Sequence, residues 1–191
     1  MPSFRTEEII YFEKSGPENT GKTIELAIRR LERNDLSKVL VATTSGKSGL
    51  LTAQAVKNAQ VIVVSHSYGF KEPNKQQLTA DYREKIFSCG AEILTCTHTF
   101  GGVGRAVRKK FGTVQIDEII AQTLRTLGDG MKVAAEITLM AADAGLVNSG
   151  ENILAIAGSD HGADTAAVIK AANAQQFFEL KVQEIICKPV F

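Results

Sequence analysis

Lys38–Gly49 reads KVLVATTSGKSG, and this stretch decides the fold. Val39, Leu40 and Val41 form a short apolar run rich in β-branching, the composition of a strand buried on both faces. Thr43, Thr44, Ser45, Gly46, Lys47 and Ser48 then change the chemistry abruptly, and a helical segment is predicted over Leu50–Ala59. A strand that turns through hydroxyls, a glycine and a lysine into a helix is an anion site in outline. The hydroxyls and Lys47 supply donors and charge, Gly46 allows the chain to turn, and the helix start adds free N–H groups and the positive end of its dipole.

Working outward, the same alternation recurs. A short strand is predicted at Ile9–Phe12, and Gly16-Pro17 closes it. Asn19 or Thr20 then caps a helix running to about Arg33. Val61–Val64 and Glu92–Cys96 read as further strands, with a helix over Leu78–Ser88 between them. Helices are predicted at Gly104–Phe111, Val114–Leu127 and Met131–Ala144. Asn152–Ala157, Thr165–Ala171 and Val182–Cys187 read as the closing strands, with Ala172–Leu180 as loop or short helix. Strands alternating with helices predict a three-layer α/β/α domain around a mostly parallel sheet. Ligands of such sheets bind beyond the carboxyl ends of the strands, where strand order reverses. The polar segments Ser65-His66-Ser67, Thr97-His98 and Gly158-Ser159 all fall at strand ends.

The bulk composition is that of one ordinary globular domain spanning residues 1–191. Apolar residues make up 44% and charged residues 23%. A chain this long buries roughly 70% of its unfolded surface. A net charge of +1 gives no argument for nucleic acid or an acidic membrane as partner. No apolar run approaches the ~18 residues of a membrane span, and MPSFRTEEIIYF lacks the features of a secretory signal. Three cysteines, Cys89, Cys96 and Cys187, fit neither a metal spacing nor a disulfide framework. A cytoplasmic location is the resulting expectation, with Cys96 and Cys187 as buried, inert thiols.

Several motifs compete with blander readings. Gly46-Lys47-Ser48 resembles the end of a P-loop, but that motif wants glycine where Val41 stands, so a simple phosphate or carboxylate cradle is favoured over nucleotide hydrolysis. Gly102-Val103-Gly104 opens a helix, yet Val107 occupies the position of the third fingerprint glycine. Arg105 sits in a first helical turn, where a cation opposes the dipole and calls for an acidic or phosphate partner, or plain exposure. His66 and His98 follow two consecutive strands and can bond, stack or carry a proton. Tyr68, Phe70 and Phe100 either border a planar ring or fill core. Glu136 interrupts an apolar helix between Ala135 and Ile137. It faces solvent by default, or is buried against the Asn19–Thr20 turn or a ligand. Asp160, His161 and Asp164 form no specific metal pattern, and Arg108-Lys109-Lys110 read as a solvated helix end.

Val39–Gly49 followed by Val61–Ser65 resembles the C-terminal domain of pyruvate kinase, where a Thr-x-Ser-Gly-Arg-Ser type loop holds a phosphate of an allosteric sugar bisphosphate. Thr43, Ser45, Gly46 and Ser48 match that loop, and Lys47 stands where arginine is common, keeping the charge without the planar fork. The resemblance covers Lys38–Ala171 and includes no catalytic barrel, so it implies no kinase activity on pyruvate. It implies a sheet ordered 3-2-1-4-5 counted from the strand at Val39, with the last core strand antiparallel, so that Thr43–Ser48 meets Gly158–Gly162 at the switch point. The chain also resembles small stand-alone proteins of this domain type. Glu18-Asn19-Thr20, Glu136–Asp143 and Gly162-Ala163-Asp164-Thr165 carry that likeness. It implies flavin mononucleotide (FMN) as cofactor. Its phosphate would lie on Thr43–Ser48 and its ring across the tips Ser65–Phe70 (with Ser65, His66 and Ser67) and Thr97–Gly102 (with Thr97, His98 and Gly102), and Arg105 would also belong to the site. The surround would be Asn19, Thr20, Gly158, Ser159, Asp164 and Thr165, with no metal. A sensing module for a phosphorylated metabolite and a small phosphotransferase or NTPase are the alternatives. A homo-oligomer is compatible with the fold, although no stripe in the sequence marks its surface.

Overall fold

In a computed structural model, residues 4–190 are described. The apolar runs of the sequence become strands: β1 (Ile10–Phe12), β2 (Lys38–Thr43), β3 (Gln60–Ser65), β4 (Glu92–Thr95), β5 (Asn152–Ala157), β6 (Thr165–Lys170) and β7 (Lys181–Pro189). The helices between them are α1 (Thr20–Leu31), α2 (Lys47–Ala55), α3 (Ala80–Ser88), α4 (Val103–Phe111), α5 (Ile116–Arg125) and α6 (Asp129–Asp143). Two 3₁₀ turns, Pro17–Asn19 and Ala174–Glu179, complete the described elements, the second lying where the sequence left loop or helix open.

The strands form one sheet in the order β1-β7-β6-β5-β2-β3-β4. Counted from Val39, the central run is the order 3-2-1-4-5, and β7 and β1 widen it by two strands. β2 pairs in parallel with β3 and β5, and β3 with β4. The last core strand, β6, runs antiparallel to β5 and to β7, while β1 lies parallel to β7 at the edge.

Both faces of the central sheet are covered, which explains why β2, β3 and β5 are apolar without alternation. Val39 and Val41 point to the layer made by α1, α2 and α3, and Leu40 points to α6. β3 divides the same way, with Val61 and Val63 on one side and Ile62 and Val64 on the other. Each such side chain contributes roughly 1.5–3 kcal/mol by leaving water. On the second face small residues decide the packing. Ala155, Ala157 and Ala167 of the sheet meet Ala134 and Ala141 of α6. α5 then covers part of the outside of α6 through Ala121, Leu124 and Leu139.

α4 is different. None of its residues is buried, and Val103 and Phe111 are largely exposed. Arg30 locks the other face to the sheet edge: its guanidinium, almost fully buried, donates to Asp35 and to Glu184 on β7. Burial pushes the Cys187 thiol up to about 11, so this cysteine stays a neutral thiol. Cys96 is only half-buried and Cys89 is exposed. No helix of the described residues is long and apolar enough to cross a membrane.

Candidate functional site

The parallel strands β2, β3, β4 and β5 end at one side of the sheet, and a cleft of about 750 Å³ opens there. Its first wall is the loop after β2. Gly46 adopts φ +113°, and a Cβ there would come within 2.4 Å of Tyr82 Cβ on α3. Glycine is therefore required by both conformation and packing. Thr43 Oγ1 accepts from Gly46 N at 3.1 Å and from Gly49 N at 3.4 Å, pinning the turn from inside. α2 consequently starts at Lys47, three residues before the helix predicted from Leu50. That correction has a chemical effect: Lys47 and Ser48 become the first turn, whose N–H groups have no intrahelical acceptor. Thr43, Thr44, Ser45, Lys47 and Ser48 all line the cleft.

The second wall is built from rings. His66 Nδ1 lies 2.7 Å from Gln77 Oε1, and burial lowers the affinity of this imidazole for a proton, favouring its neutral form. Phe70 stacks on His66 with centroids 4.1 Å apart and on His98 at 4.8 Å. The Arg105 guanidinium lies over the Phe70 ring, 4.9 Å from its centroid. Arg105 thus spends its charge on an aromatic face at the cleft's edge. Ser65 also reaches the cleft, but its hydroxyl is bonded to Thr95 Oγ1 at 2.6 Å.

Glu136 forms the floor. It is buried, which corrects the default expectation of an exposed carboxylate. Its partners are also other than the Asn19–Thr20 turn. Oε1 accepts from Phe100 N at 3.0 Å, and Oε2 accepts from Lys132 Nζ at 2.5 Å and lies 3.6 Å from His98 Nδ1. Burial alone would raise this carboxyl, but His98 and Lys132 outweigh it and hold it at about 2. Lys132, equally buried, is shifted down by burial against the pull of Glu136. The sequence reading missed Lys132, although its spacing of four residues before Glu136 was there to be used. It also passed over Gln77 and Arg125, which line the same cleft.

The late loop closes the third side. Gly158, Ser159, Asp160, His161 and Gly162 line the cleft. A Cβ on Gly162, which has φ +81°, would strike Pro17 Cα at 2.4 Å, so the loop seats directly on the segment before α1. Thr20 Oγ1 donates to Pro17 O and accepts from Ala163 N, at 2.7 and 3.0 Å. Asp164, fully buried, accepts from Gly16 N, Ser159 Oγ and Thr165 Oγ1. Asn19 donates its amide to Lys14 O, away from the loop. Thr20 lines the cleft while holding its frame. Asn19, Gly46, Asp164 and Thr165 help to hold that frame and are not among the lining residues, and neither are Ser67, Thr97 and Gly102. Five cations (Lys47, Lys71, Arg105, Arg125 and Lys132) and two carboxylates (Glu136 and Asp160) face the space. No group of three or more His, Cys, Asp or Glu side chains with metal-holding geometry occurs among the described residues.

The sequence profile of the pyruvate kinase alpha/beta domain matches residues 21–170. The chain belongs to this family. That membership supports a general ligand-binding or regulatory role. Among solved structures, a pyruvate kinase from Cryptosporidium parvum is similar at 9% identity and a TM-score of 0.38, over 78% of this chain and 23% of that one. A Cryptosporidium parvum pyruvate kinase in complex with ADP gives 10% identity and a TM-score of 0.38, over 78% of this chain and 24% of that one. An NAD+ synthetase from Burkholderia pseudomallei gives 21% identity and a TM-score of 0.39, over 76% and 53%. The chain therefore spans about a quarter of the pyruvate kinases it matches. Within this pyruvate kinase alpha/beta domain, the match contains the loop after β2, the ring wall, the floor carboxylate and the late loop.

Proposed function

We propose that this domain binds a small phosphate ester carrying a planar ring, with FMN as the leading candidate. The observation that carries the reading is the convergence, in one cationic cleft, of the Thr43–Ser48 turn with the stacked rings of His66, Phe70 and His98. Lys47, which pairs with no carboxylate among the described residues, and the first turn of α2 would take the phosphate. In support, the Thr43–Ser48 turn and the tip of β4 lie two strands apart, Thr43 beside Ser65 and Ser65 beside Thr95. At the usual strand spacing this is about 10 Å, a span that a linker of a few carbons bridges. The cleft volume of about 750 Å³ is also within the range of small-molecule sites. A bound flavin would supply the redox chemistry, while this chain supplies position and electrostatics.

The test is an absorbance spectrum of the purified protein followed by fluorescence titration with FMN. Saturable quenching is expected, with Lys47→Ala weakening binding by about tenfold through loss of a charge-assisted contact. Absence of binding at tens of micromolar (roughly −6 kcal/mol) would overturn the flavin reading.

Family membership favours a second reading, a sensing module for a phosphorylated metabolite. It uses the same turn without the ring wall. Sugar phosphates would then raise the melting temperature, a ligand at 100 times its dissociation constant adding about 2.7 kcal/mol, while FMN would not.

A further inference from the structure

Helix α4 reverses the usual arrangement of a surface helix, whose apolar side faces the core. Its contacts with the body are made by cations and a glycine. Arg105 lies on the Phe70 ring, and Arg108 Nε pairs with Glu118 Oε1 at 2.6 Å. A Cβ on Gly104 would lie 2.8 Å from Asp117 Oδ1, so this side of the helix rests on the start of α5. Val103, Val107 and Phe111, spaced by four, share one stripe of α4. That stripe is turned to water: Val103 is 80% exposed and Phe111 65%. The apolar run continues past the left-handed Gly112 into Val114 and Ile116, 67% and 77% exposed. Four of the six large hydrophobic side chains that are at least 65% exposed among the described residues therefore fall within 103–116, a concentration rather than the normal scatter.

Charge divides in the same way. Residues 93–116 hold four cations and no carboxylate. The next acids, Asp117 and Glu118, lie against the inner side of α4. Lys109 and Lys110 are exposed and pair with no carboxylate among the described residues. The net charge of +1 over the whole chain conceals this local excess.

An apolar ridge edged by free lysines is complementary to an apolar medium beneath an anionic surface. We propose that α4 and its connector to α5 form a docking ridge for bilayers that contain acidic phospholipid. The ridge lies in the plane of the interface. Val103, Phe111, Val114 and Ile116 enter the boundary between headgroups and acyl chains, and Lys109 and Lys110 meet the lipid phosphates. Shape favours lipid over a protein partner. No residue of α4 is buried, so the helix stands out from the body. A protein would need a groove built to fit it, whereas a bilayer interface deforms around it. The chain would lie on the membrane through this ridge, not span it.

The experiment is flotation of the full chain with liposomes of phosphatidylcholine alone and of phosphatidylcholine mixed with phosphatidylserine. Binding to the mixed liposomes is expected to be about tenfold or more tighter, from two lysines at the charged surface. It is expected to weaken as ionic strength rises from about 0.1 M to about 1 M, which shortens the Debye length from about 10 Å to about 3 Å. Phe111→Ala is expected to weaken binding to the mixed liposomes by about tenfold through lost apolar burial. Lys109→Glu with Lys110→Glu is expected to abolish the preference for the acidic lipid. Equal binding to both compositions overturns the proposal, as does binding to neither. Undiminished binding of Phe111→Ala overturns it too, because the ridge is then not what enters the lipid. A dimer in light scattering that Phe111→Ala dissociates also overturns it, since a second copy then covers the ridge. The two lipid compositions are compared on the unaltered protein, so a misfolded variant leaves that comparison decisive.

Discussion

Lys132 and Glu136 lie one turn apart on α6, both nearly inaccessible to water. Two charges in such a place are held by each other, so removing either strands its partner. Glu136→Gln and Lys132→Met are each expected to lower unfolding stability by about 3–5 kcal/mol, and Lys132→Met with Glu136→Leu to cost less than the two single effects together. Urea denaturation of the three variants checks this, and strictly additive losses would show that the pair is not coupled. The sequence held half of this pair's story. Glu136 was visible as a carboxylate inside an apolar run, and Lys132 stood at helical spacing. Periodicity could not say that α5 and the 3₁₀ turn at Ala174–Glu179 also pack against this helix, on the side turned away from the sheet. Nor could it place Phe100 N and His98 beneath it, since those contacts span 36 and 38 residues of chain.

Helix α2 shows what local chemistry does and does not dictate. Its strand partner was legible from β-branching, and its glycines from the turn they permit. Its start was misplaced because a left-handed residue, Gly46, works as a cap without an accepting side chain. Gly49, one turn on, serves packing instead: a Cβ there would sit 2.6 Å from Val63 Cγ1 on β3. Gly49→Ala is expected to push α2 off the sheet and cost about 1–3 kcal/mol. Gly21, near the start of α1, is the contrast, since a Cβ there meets nothing within 4 Å. Gly21→Ala is expected to stabilise the ligand-free protein by up to about 1 kcal/mol through helix propensity. Paired thermal denaturation of the two variants separates steric from conformational control. Shifts of the same sign would contradict the assigned roles.

The arrangement of the whole sheet was legible to different depths. Its five central strands follow from alternation together with the family likeness, because each buried run needs helices on both faces. The two outer strands do not: β1 pairs with β7 from the opposite end of the chain, through Ile10 and Cys187, and no local pattern encodes that register. The long-range ion pairs are invisible for the same reason, yet they tie molecular stability to pH. Glu136 has a carboxyl at about 2 in the folded protein against 4.5 for the ordinary group. A depressed carboxyl favours the folded state only while ionised. Its contribution, on the order of 3 kcal/mol, is complete above pH 4.5 and disappears as the pH falls toward 2. Arg30 lowers Asp35 in the same direction, but that carboxylate is half exposed and adds a smaller slope. Urea midpoints measured between pH 7 and pH 3 should therefore fall steeply in the unaltered protein and less steeply in Glu136→Gln, which lacks the titrating group and starts from lower stability. Equal slopes would place the acid sensitivity elsewhere, in the Arg30 cluster that joins α1 to β7, and would remove Glu136 as the electrostatic anchor of the cleft floor.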